Sequence, residues 1–493
     1  MSNNVSKLFI NLSYQYFMMK ENIQLEVVAE RYPPHVIDEI EVVDTMKSEL
    51  ERMVEGTGRL VEGYITFYAI YVEGLYGSGK TLLMRKYCNE ILKKFDKTIP
   101  IYFYLGEQDF LPFIMLENYY NDVKSFVEQN RTPPSVVGEP DLWKGRVEIL
   151  GEVINEIKTL KVDRPEQELE KFFKALEVID ERGYYPVIIF DEFERVLLTG
   201  DGLRSDGAKT CFAYFSSRYL EIVRGQLFKG AFALVTTFPL IELLRRAIEM
   251  DYPHLREIEH HLGLAIREKS EQYPMLAPHV IQSYDEQVKI AWNADNLNSL
   301  AEKYGLAVDR EVIEIIAKVL PTPRAIINIA REALNKGIKE VKRKDFIKIV
   351  EPRFDEFKKR LEREKVNGRF IIQPQTRWHE IFEILLREGM FEISRDNYLE
   401  VAKILNIEYD ESDKDSVRKA RQKVSNILKK LSSLQLYEAT GKGIYRLNSY
   451  LLAYLLGIER LPTGESTSLD KIMEDIKQGI IELRRKSKKS ATD

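Results

Sequence analysis

The 493-residue chain has little cysteine, no long apolar run and no large excess of one charge. Its two cysteines, Cys88 and Cys211, are too few and too far apart for a disulfide scaffold or a zinc site. No stretch approaches the roughly 18 apolar residues of a membrane-spanning helix. The net charge of −5 argues against non-specific polyanion binding by the whole chain, so any contact with nucleic acid must come from a local basic patch.

The sequence also lacks the features of a secretory signal. Residues 1–14 contain one lysine, no long apolar core and no small-residue cleavage site. A hydrophobic content of 44% with 31% charged residues is typical of a globular chain, and the length suggests about two to four domains. We therefore expect a cytoplasmic protein with no membrane partner.

The most informative stretch is a glycine-rich turn between a predicted strand, Tyr64–Val72, and a predicted helix. The turn reads Gly74-Leu75-Tyr76-Gly77-Ser78-Gly79-Lys80-Thr81, followed by Leu82, and has the form G-x-x-x-x-G-K-[ST]. Its glycines let backbone N–H groups converge on phosphate oxygens, and the helix N-terminus adds partial positive charge. We expect Lys80 to reach the β and γ phosphates and the Thr81 hydroxyl to ligate Mg²⁺. Residues 74–82 are therefore predicted to bind ATP.

Two carboxylates follow a second predicted strand. Val187–Phe190 is a short apolar run suited to a strand buried on both faces, and Asp191 and Glu192 stand at its C-terminal end. Asp191 is expected to hold Mg²⁺, and Glu192 to orient and deprotonate the attacking water. The alternative is a strand that ends in solvated acids. Beside the phosphate loop, the Asp-Glu pair predicts Mg²⁺-dependent ATP hydrolysis.

Two further positions are candidates for contacts with the γ-phosphate. A third predicted strand, Gly230–Thr237, ends in Thr236 and Thr237, whose hydroxyls could bond the phosphate or the lytic water, although threonine is also a common strand residue. Arg324 follows Pro323 in the first turn of a predicted helix, where its charge opposes the helix dipole. An anion nearby would explain that placement, and an ordinary surface arginine is the alternative.

The C-terminal part of the chain predicts three helices followed by a hairpin. The helices are Trp378–Arg387, Asn397–Asn406 and Ser416–Leu431, and two short strands flank the Gly441-Lys442-Gly443 turn. The third helix has an apolar stripe on one side. Five polar side chains lie away from that stripe: Arg418, Lys419, Arg421, Gln422 and Ser425.

The order of these motifs resembles the AAA+ ATPases, and within them the origin-recognition initiators of archaea and eukaryotes. By that resemblance Gly74–Thr81 match the Walker A motif and Val187–Glu192 match Walker B. Thr236 or Thr237 takes the sensor 1 position and Arg324 takes sensor 2. Two features depart from the family pattern: 111 residues (191 − 80) separate Lys80 from Asp191, and threonines replace the asparagine often found at sensor 1.

The resemblance implies an α/β fold: an αβα P-loop sheet, then a small helical lid and a winged-helix domain. The expected boundaries are 1–289 for the nucleotide domain, 290–352 for the lid, 353–460 for the winged helix and 461–493 for a flexible basic tail. A helical insertion is expected near 107–182, and Pro33–Val54 resembles the helical lead-in of the initiators. AAA+ proteins also complete their site with an arginine from a neighbouring subunit, which implies a homo-oligomer. Arg245 and Arg246 are the first candidates.

A winged helix would place its third helix in the major groove of duplex DNA, while Lys442 and Arg446 reach backbone phosphates. The alternative is a winged helix that contacts protein. The resemblance thus implies a DNA-binding replication-initiator-like ATPase that acts as a switch or loader. Two other functions stay open: an ATPase accessory to a helicase or nuclease partner in defence or repair, and an ATP-gated transcriptional regulator.

Overall fold

The computed structural model describes residues 44–105, 109–129, 133, 135–160, 164, 166–196, 202–237, 283–366, 369–370, 378–459, 461 and 467–489. The described residues up to Ala291 form one compact unit, and those from Trp292 onward form a second. Within the described residues, no helix is long and apolar enough to cross a membrane. Arg245, Arg246 and the first part of the predicted lead-in lie outside the described residues.

The first unit is built on a five-stranded sheet in which every strand pairing is parallel, and the strand order is β2-β3-β4-β1-β5. The strands are β1 (Phe67–Gly74), β2 (Thr98–Tyr104), β3 (Tyr185–Asp191), β4 (Gly230–Thr236) and β5 (Glu286–Ile290). The helices are α1 (Asp44–Val61), α2 (Lys80–Lys94), α3 (Pro112–Gln129), α4 (Pro140–Lys158), α5 (Glu166–Glu181), α6 (Asp206–Ser217) and α7 (Tyr219–Val223). The predicted α/β fold class is confirmed.

The strand sequences explain the sheet. All seven residues of β4 are buried, as are the residues of β3 from Pro186 to Asp191, and such strands read as continuous apolar runs because helices cover both faces. Since the strands are parallel, β1, β3 and β4 end at the same edge. Strand β4 lies between the other two, so the loop after β1 and the acids after β3 are close together.

The predicted insertion near 107–182 is a layer of three helices, α3, α4 and α5, that pack against one another and against strands β2 and β3. Trp143 of α4 is fully buried and donates through Nε1 to the Val137 carbonyl at 2.8 Å. Arg146, also in α4, donates to three carbonyls where α2 ends and β2 begins: Thr98 at 2.6 Å, Phe95 at 2.8 Å and Leu92 at 3.2 Å. The insertion is therefore fixed to the sheet.

Replacing Arg146 with alanine is expected to lower the free energy of unfolding by about 2–4 kcal/mol, because several buried carbonyls lose a charged donor at once. Urea denaturation of the full chain measures the change. Arg182→Ala is the matched control, since Arg182 pairs with Glu152 and Glu156 at the surface and its loss should cost below about 1 kcal/mol. Equal effects of the two substitutions would contradict an anchoring role for Arg146.

The second unit begins with four helices. They are α8 (Ala294–Lys303), α9 (Arg310–Ala317), α10 (Pro323–Asn335) and α11 (Phe346–Arg363). The first three lie within the predicted lid boundaries of 290–352. Helix α11, however, runs through the predicted lid boundary at 352/353, with Pro352 inside it. The charged second half of this helix keeps an apolar stripe of buried side chains, Phe354, Phe357 and Leu361, between the charges.

The rest of the second unit comprises α12 (Trp378–Arg387), α13 (Tyr398–Ile404), α14 (Lys414–Ser433), α15 (Ser449–Leu455) and α16 (Leu469–Lys489). Its strands are β6 (Lys365–Val366), β7 (Arg369–Phe370), β8 (Glu392–Ile393), β9 (Tyr437–Gly441) and β10 (Ile444–Leu447). Strands β6 and β7 form a two-stranded hairpin. Strands β8, β10 and β9 form an antiparallel sheet in that order.

The prediction of a flexible tail over 461–493 is wrong for α16. This helix buries Ile472, Met473, Ile476 and Ile480 and packs against α14 and α15. A side chain at Gly479 would come within 2.5 Å of the Ser433 carbonyl, so glycine permits the close approach of α16 to the end of α14. Ile472, Ile476 and Ile480 recur at helical spacing, and this apolar stripe is sufficient for packing although the end of the helix is basic.

Candidate functional site

The predicted phosphate loop is the turn between β1 and α2. Gly77 and Gly79 have φ of 78° and 99°, the left-handed region that glycine adopts without strain. A Cβ on Gly74 would lie 2.7 Å from Ser78 Oγ and 2.9 Å from the Ile290 carbonyl. Helix α2 begins at Lys80, whose Nζ donates to the Gly74 and Leu75 carbonyls at 2.9 and 3.2 Å. The ammonium group therefore lies against the backbone of the loop.

The structure brings Thr81 and Asp191 together. Thr81 Oγ1 donates to Asp191 Oδ2 at 2.7 Å, and the hydroxyl of Tyr102, in β2, donates to the same oxygen at 2.5 Å. Asp191 is fully buried, and this burial raises the pKa of its carboxyl, while the two hydroxyl donors and the Lys80 charge oppose the rise. The two predicted metal ligands thus share one position at the edge of the sheet.

Glu192 has a strained backbone and a charged neighbour. Its φ is 57°, which is unusual for a residue other than glycine, and its side chain forms an ion pair with Arg195. The Arg195 guanidinium also lies 5.7 Å from the ring centre of Tyr104. Burial and the neighbouring Glu194 raise the pKa of the Glu192 carboxyl to about 8, and Arg195 acts in the opposite direction. Glu192 is thus a buried carboxyl beside the candidate metal ligands.

The polar end of β4 also reaches the phosphate loop. Thr237 Oγ1 lies 3.5 Å from Lys80 Nζ, and both Thr237 and Thr236 are buried. Thr237 donates its backbone N–H to Glu194 at 3.0 Å and its hydroxyl to the other oxygen of the same carboxylate. Of the two predicted threonines, Thr237 is therefore the one that contacts the lysine.

Arg324 lies in the second unit. It stands in the first turn of α10 directly after Pro323, as the sequence predicts, and its side chain is half-buried. Helix α10 has no acidic residue in its first turn that would compensate the arginine charge. The role of Arg324 as a nucleotide contact stays a prediction.

The candidate DNA-binding residues lie on α14 and the β9–β10 hairpin. Arg418, Lys419, Arg421 and Gln422 are all exposed, opposite the buried side chains Ala420, Val424, Leu428 and Leu431. Lys442 is exposed at the turn of the hairpin.

Two of these candidates already have acidic partners. Arg418 forms an exposed ion pair with Asp415 at 3.2 Å. Arg446 was expected to extend towards phosphate, and it instead pairs with Glu392 of β8 at 2.6 Å. That pair could not be predicted from the sequence, because strand β8 has only two residues, too few to produce an alternating pattern.

Sequence reasoning missed three residues that contact the site: Tyr102, Glu194 and Arg195. The spacing of Glu192 and Arg195, three residues apart directly after a strand, was a signal of an ion pair. Glu194 stands two residues after Glu192, and no local spacing points to its contact with Thr237. Tyr102 could not be found from local pattern, because β2 reaches Asp191 only through strand pairing.

Similarity to known proteins is found among solved structures. No family model matches the chain, and no curated protein matches it. Among solved structures it is similar to Cdc6p from Pyrobaculum aerophilum, with 12% identity, 90% of this chain and 96% of that chain covered, and a TM-score of 0.39. It is also similar to the ORC2 protein of Aeropyrum pernix in ADPNP–ADP complexes, with 16% identity, 91% and 98% covered, and a TM-score of 0.34.

A third similar structure is the replication initiator DnaA bound to AMPPCP and single-stranded DNA, with 14% identity, 81% and 93% covered, and a TM-score of 0.29. The α/β fold class follows from the parallel sheet and its strand order.

Proposed function

We propose that this protein is a Mg²⁺-dependent ATPase of replication-initiator type, whose nucleotide state controls binding to duplex DNA. The observation that carries the ATPase part is the 2.7 Å hydrogen bond between Thr81 Oγ1 and Asp191 Oδ2. This hydrogen bond joins the first turn of α2 to Asp191 at the end of β3. A hydroxyl and a carboxylate in this position are able to share one cation at the edge of the sheet.

The donor set suits Mg²⁺ bound together with phosphate. Mg²⁺ is usually held by one or two carboxylates, water and substrate phosphate oxygens, without a complete protein cage. Thr81 and Asp191 offer two hard oxygen ligands of this kind. The part of the chain that the structure describes contains no cluster of three or more His, Cys, Asp or Glu residues able to hold a metal. A bound Mg²⁺ would neutralise part of the negative charge of the phosphates.

The protein's own groups have distinct roles in this proposal. The Lys80 ammonium, now bonded to loop carbonyls, exchanges these acceptors for phosphate oxygens. Backbone N–H groups of the loop and the N-terminus of α2 add further donors. Glu192 is buried beside Asp191 and accepts the proton of the attacking water once its carboxyl is ionised.

In this proposal, residues 378–447, here called the C-terminal module, form a winged helix. In support, three helices are followed by the β9–β10 hairpin, and the short strand β8 after the first helix completes the sheet. Helix α14 carries its basic residues on the exposed face. If α14 enters the major groove of a duplex, these basic side chains would lie against the DNA phosphates.

Nucleotide and DNA are connected in the proposal through the packing of the second unit. Lys318, directly after α9, pairs with Glu392 at 3.0 Å, and the same carboxylate holds Arg446 of the hairpin. The rings of Phe346 and Phe391 meet edge-on with centroids 4.5 Å apart. Because these contacts join the lid-like helices to β8 and β10, a nucleotide-dependent movement of those helices carries the DNA-binding module with it.

Replacing Arg418 and Arg421 together with alanine is expected to weaken duplex binding about 10- to 100-fold at moderate salt. Loss of two phosphate contacts should also make the slope of log K against log salt shallower by about 2. Fluorescence anisotropy of a labelled duplex across a salt series measures both. Lys339→Ala with Lys359→Ala is the charge-matched control, since both lysines are exposed outside α14. An unchanged salt slope would assign the module to protein contacts.

The initiator part is tested by footprinting the full chain on genomic fragments with ATP, with ADP and without nucleotide. The proposal expects protection of discrete sites near a replication origin, with occupancy that depends on the nucleotide. Uniform, strongly salt-sensitive protection would favour an accessory role to a helicase or nuclease. Protection of a promoter with negligible ATP turnover would favour a transcriptional regulator.

A further inference from the structure

A third carboxylate lies behind the candidate ATPase site. Glu194 is only 5% exposed, and both of its oxygens accept hydrogen bonds from Thr237, one from the backbone N–H and one from the hydroxyl. A hydroxyl has a single proton, so Thr237 Oγ1 faces its other neighbours as an acceptor. Lys80 Nζ is such a neighbour, 3.5 Å away.

From this geometry we infer that Glu194 is a positioning residue, which orients the Thr237 hydroxyl to accept from Lys80 and so holds the lysine at the end of β4. The inference rests on the proposed ATPase function and deepens it. It also changes the expected role of Thr237, because a hydroxyl whose proton is directed to Glu194 is not a donor to the γ-phosphate. Thr237 then acts on the nucleotide through Lys80.

A carboxylate is required for this arrangement. Thr237 presents two donors to residue 194, and a carboxylate accepts both. The amide of a glutamine accepts at only one end and would place its NH₂ against a second donor. The hydroxyl would then turn to accept from that NH₂, and its proton would point towards the Lys80 ammonium. The Glu194→Gln substitution therefore keeps the shape of the side chain and replaces one of its two hydrogen-bond acceptors by a donor.

Steady-state ATP turnover by the full chain tests the inference. Glu194→Gln and Thr237→Val should each lower kcat/KM about tenfold, the effect of one lost buried hydrogen bond. The double variant should lose no more than either single variant, because both changes remove the same contact. Thr237→Ser keeps the hydroxyl and should retain most activity, as should the control Glu168→Gln in α5. Multiplicative losses in the double variant would overturn the inference.

A second measurement needs no nucleotide. Acetic anhydride labelling followed by peptide mass spectrometry compares acetylation of Lys80 with that of the exposed Lys94 in the nucleotide-free protein. Lys80 should label about threefold or more faster in Glu194→Gln and in Thr237→Val, because its ammonium loses an acceptor. Unchanged labelling would overturn the inference. If the wild-type chain turns over no ATP while the labelling still responds, the proposed function fails and the positioning contact stands.

Discussion

Replacing Lys80 with alanine is expected to weaken ATP binding about 100-fold or more and to remove measurable turnover, the result of losing a charge-assisted contact to phosphate. The structure places this ammonium inside the loop, 2.9 Å from the Gly74 carbonyl and 3.5 Å from the Thr237 hydroxyl. No other lysine follows the glycines at the start of α2, so nothing takes its place. Isothermal titration calorimetry with ATP and Mg²⁺ measures the binding, and phosphate release measures the turnover.

A control for general effects on helix α2 is Lys94→Ala. Lys94 lies in the last turn of the same helix, exposed, in a surface pair with Glu90. Its removal should leave ATP affinity unchanged within about twofold, because an exposed pair contributes little. Normal ATP affinity of the Lys80→Ala variant would show that residues 74–82 are not the phosphate-binding loop. The ATPase proposal would then have to be abandoned.

Three strands of the sheet, β1, β3 and β4, could be predicted from the sequence because they are largely buried on both faces. Apolar runs such as Val187–Phe190 and Gly230–Thr237 have few interpretations when they are short and end in polar residues. The parallel order of strands then brings the ends of β1, β3 and β4 to one edge. The strand order therefore predicts that the phosphate loop and Asp191 lie close together. In the structure they are joined by the Thr81–Asp191 hydrogen bond.

The detailed surroundings of the site could not be predicted in the same way. Tyr102 reaches Asp191 only because β2 pairs with β3 in a particular register, with Tyr104 opposite Asp191. Glu194 meets Thr237 across 43 positions of sequence. Such contacts depend on the exact strand register and on the backbone turn at Glu192. The local spacing of apolar residues predicts neither of these features.

The second unit shows a different limit. The lid-like helices were located closely because their apolar residues recur at helical spacing over ten or so residues. Helix α11 and helix α16 were misread because charged residues dominate their composition. In both, a narrow apolar stripe is sufficient: Phe354, Phe357 and Leu361 are buried in α11, and Ile472, Ile476 and Ile480 in α16. Composition indicated a domain boundary within α11 and a flexible tail at α16. The helical spacing of the apolar residues indicates a packed helix in both places.

Glu192→Gln is expected to preserve ATP binding and to lower turnover about 100- to 1,000-fold, the usual contribution of a general base. The side chain is 8% exposed, and Glu192 has a left-handed backbone directly after β3, the strand that ends in Asp191. Glutamine retains the shape and cannot accept a proton from water. The measurements are single-turnover hydrolysis and retention of ATP by the isolated complex.

Glu221→Gln is a suitable control for this experiment, because Glu221 pairs with Arg218 near the surface of α7, away from the strand ends. It should hydrolyse ATP at the wild-type rate. Undiminished turnover by Glu192→Gln would remove Glu192 as the water activator. Loss of ATP binding by the same variant would show that Glu192 supports the site by its charge, since the partly buried Arg195 would then lie beside a neutral amide in place of a carboxylate.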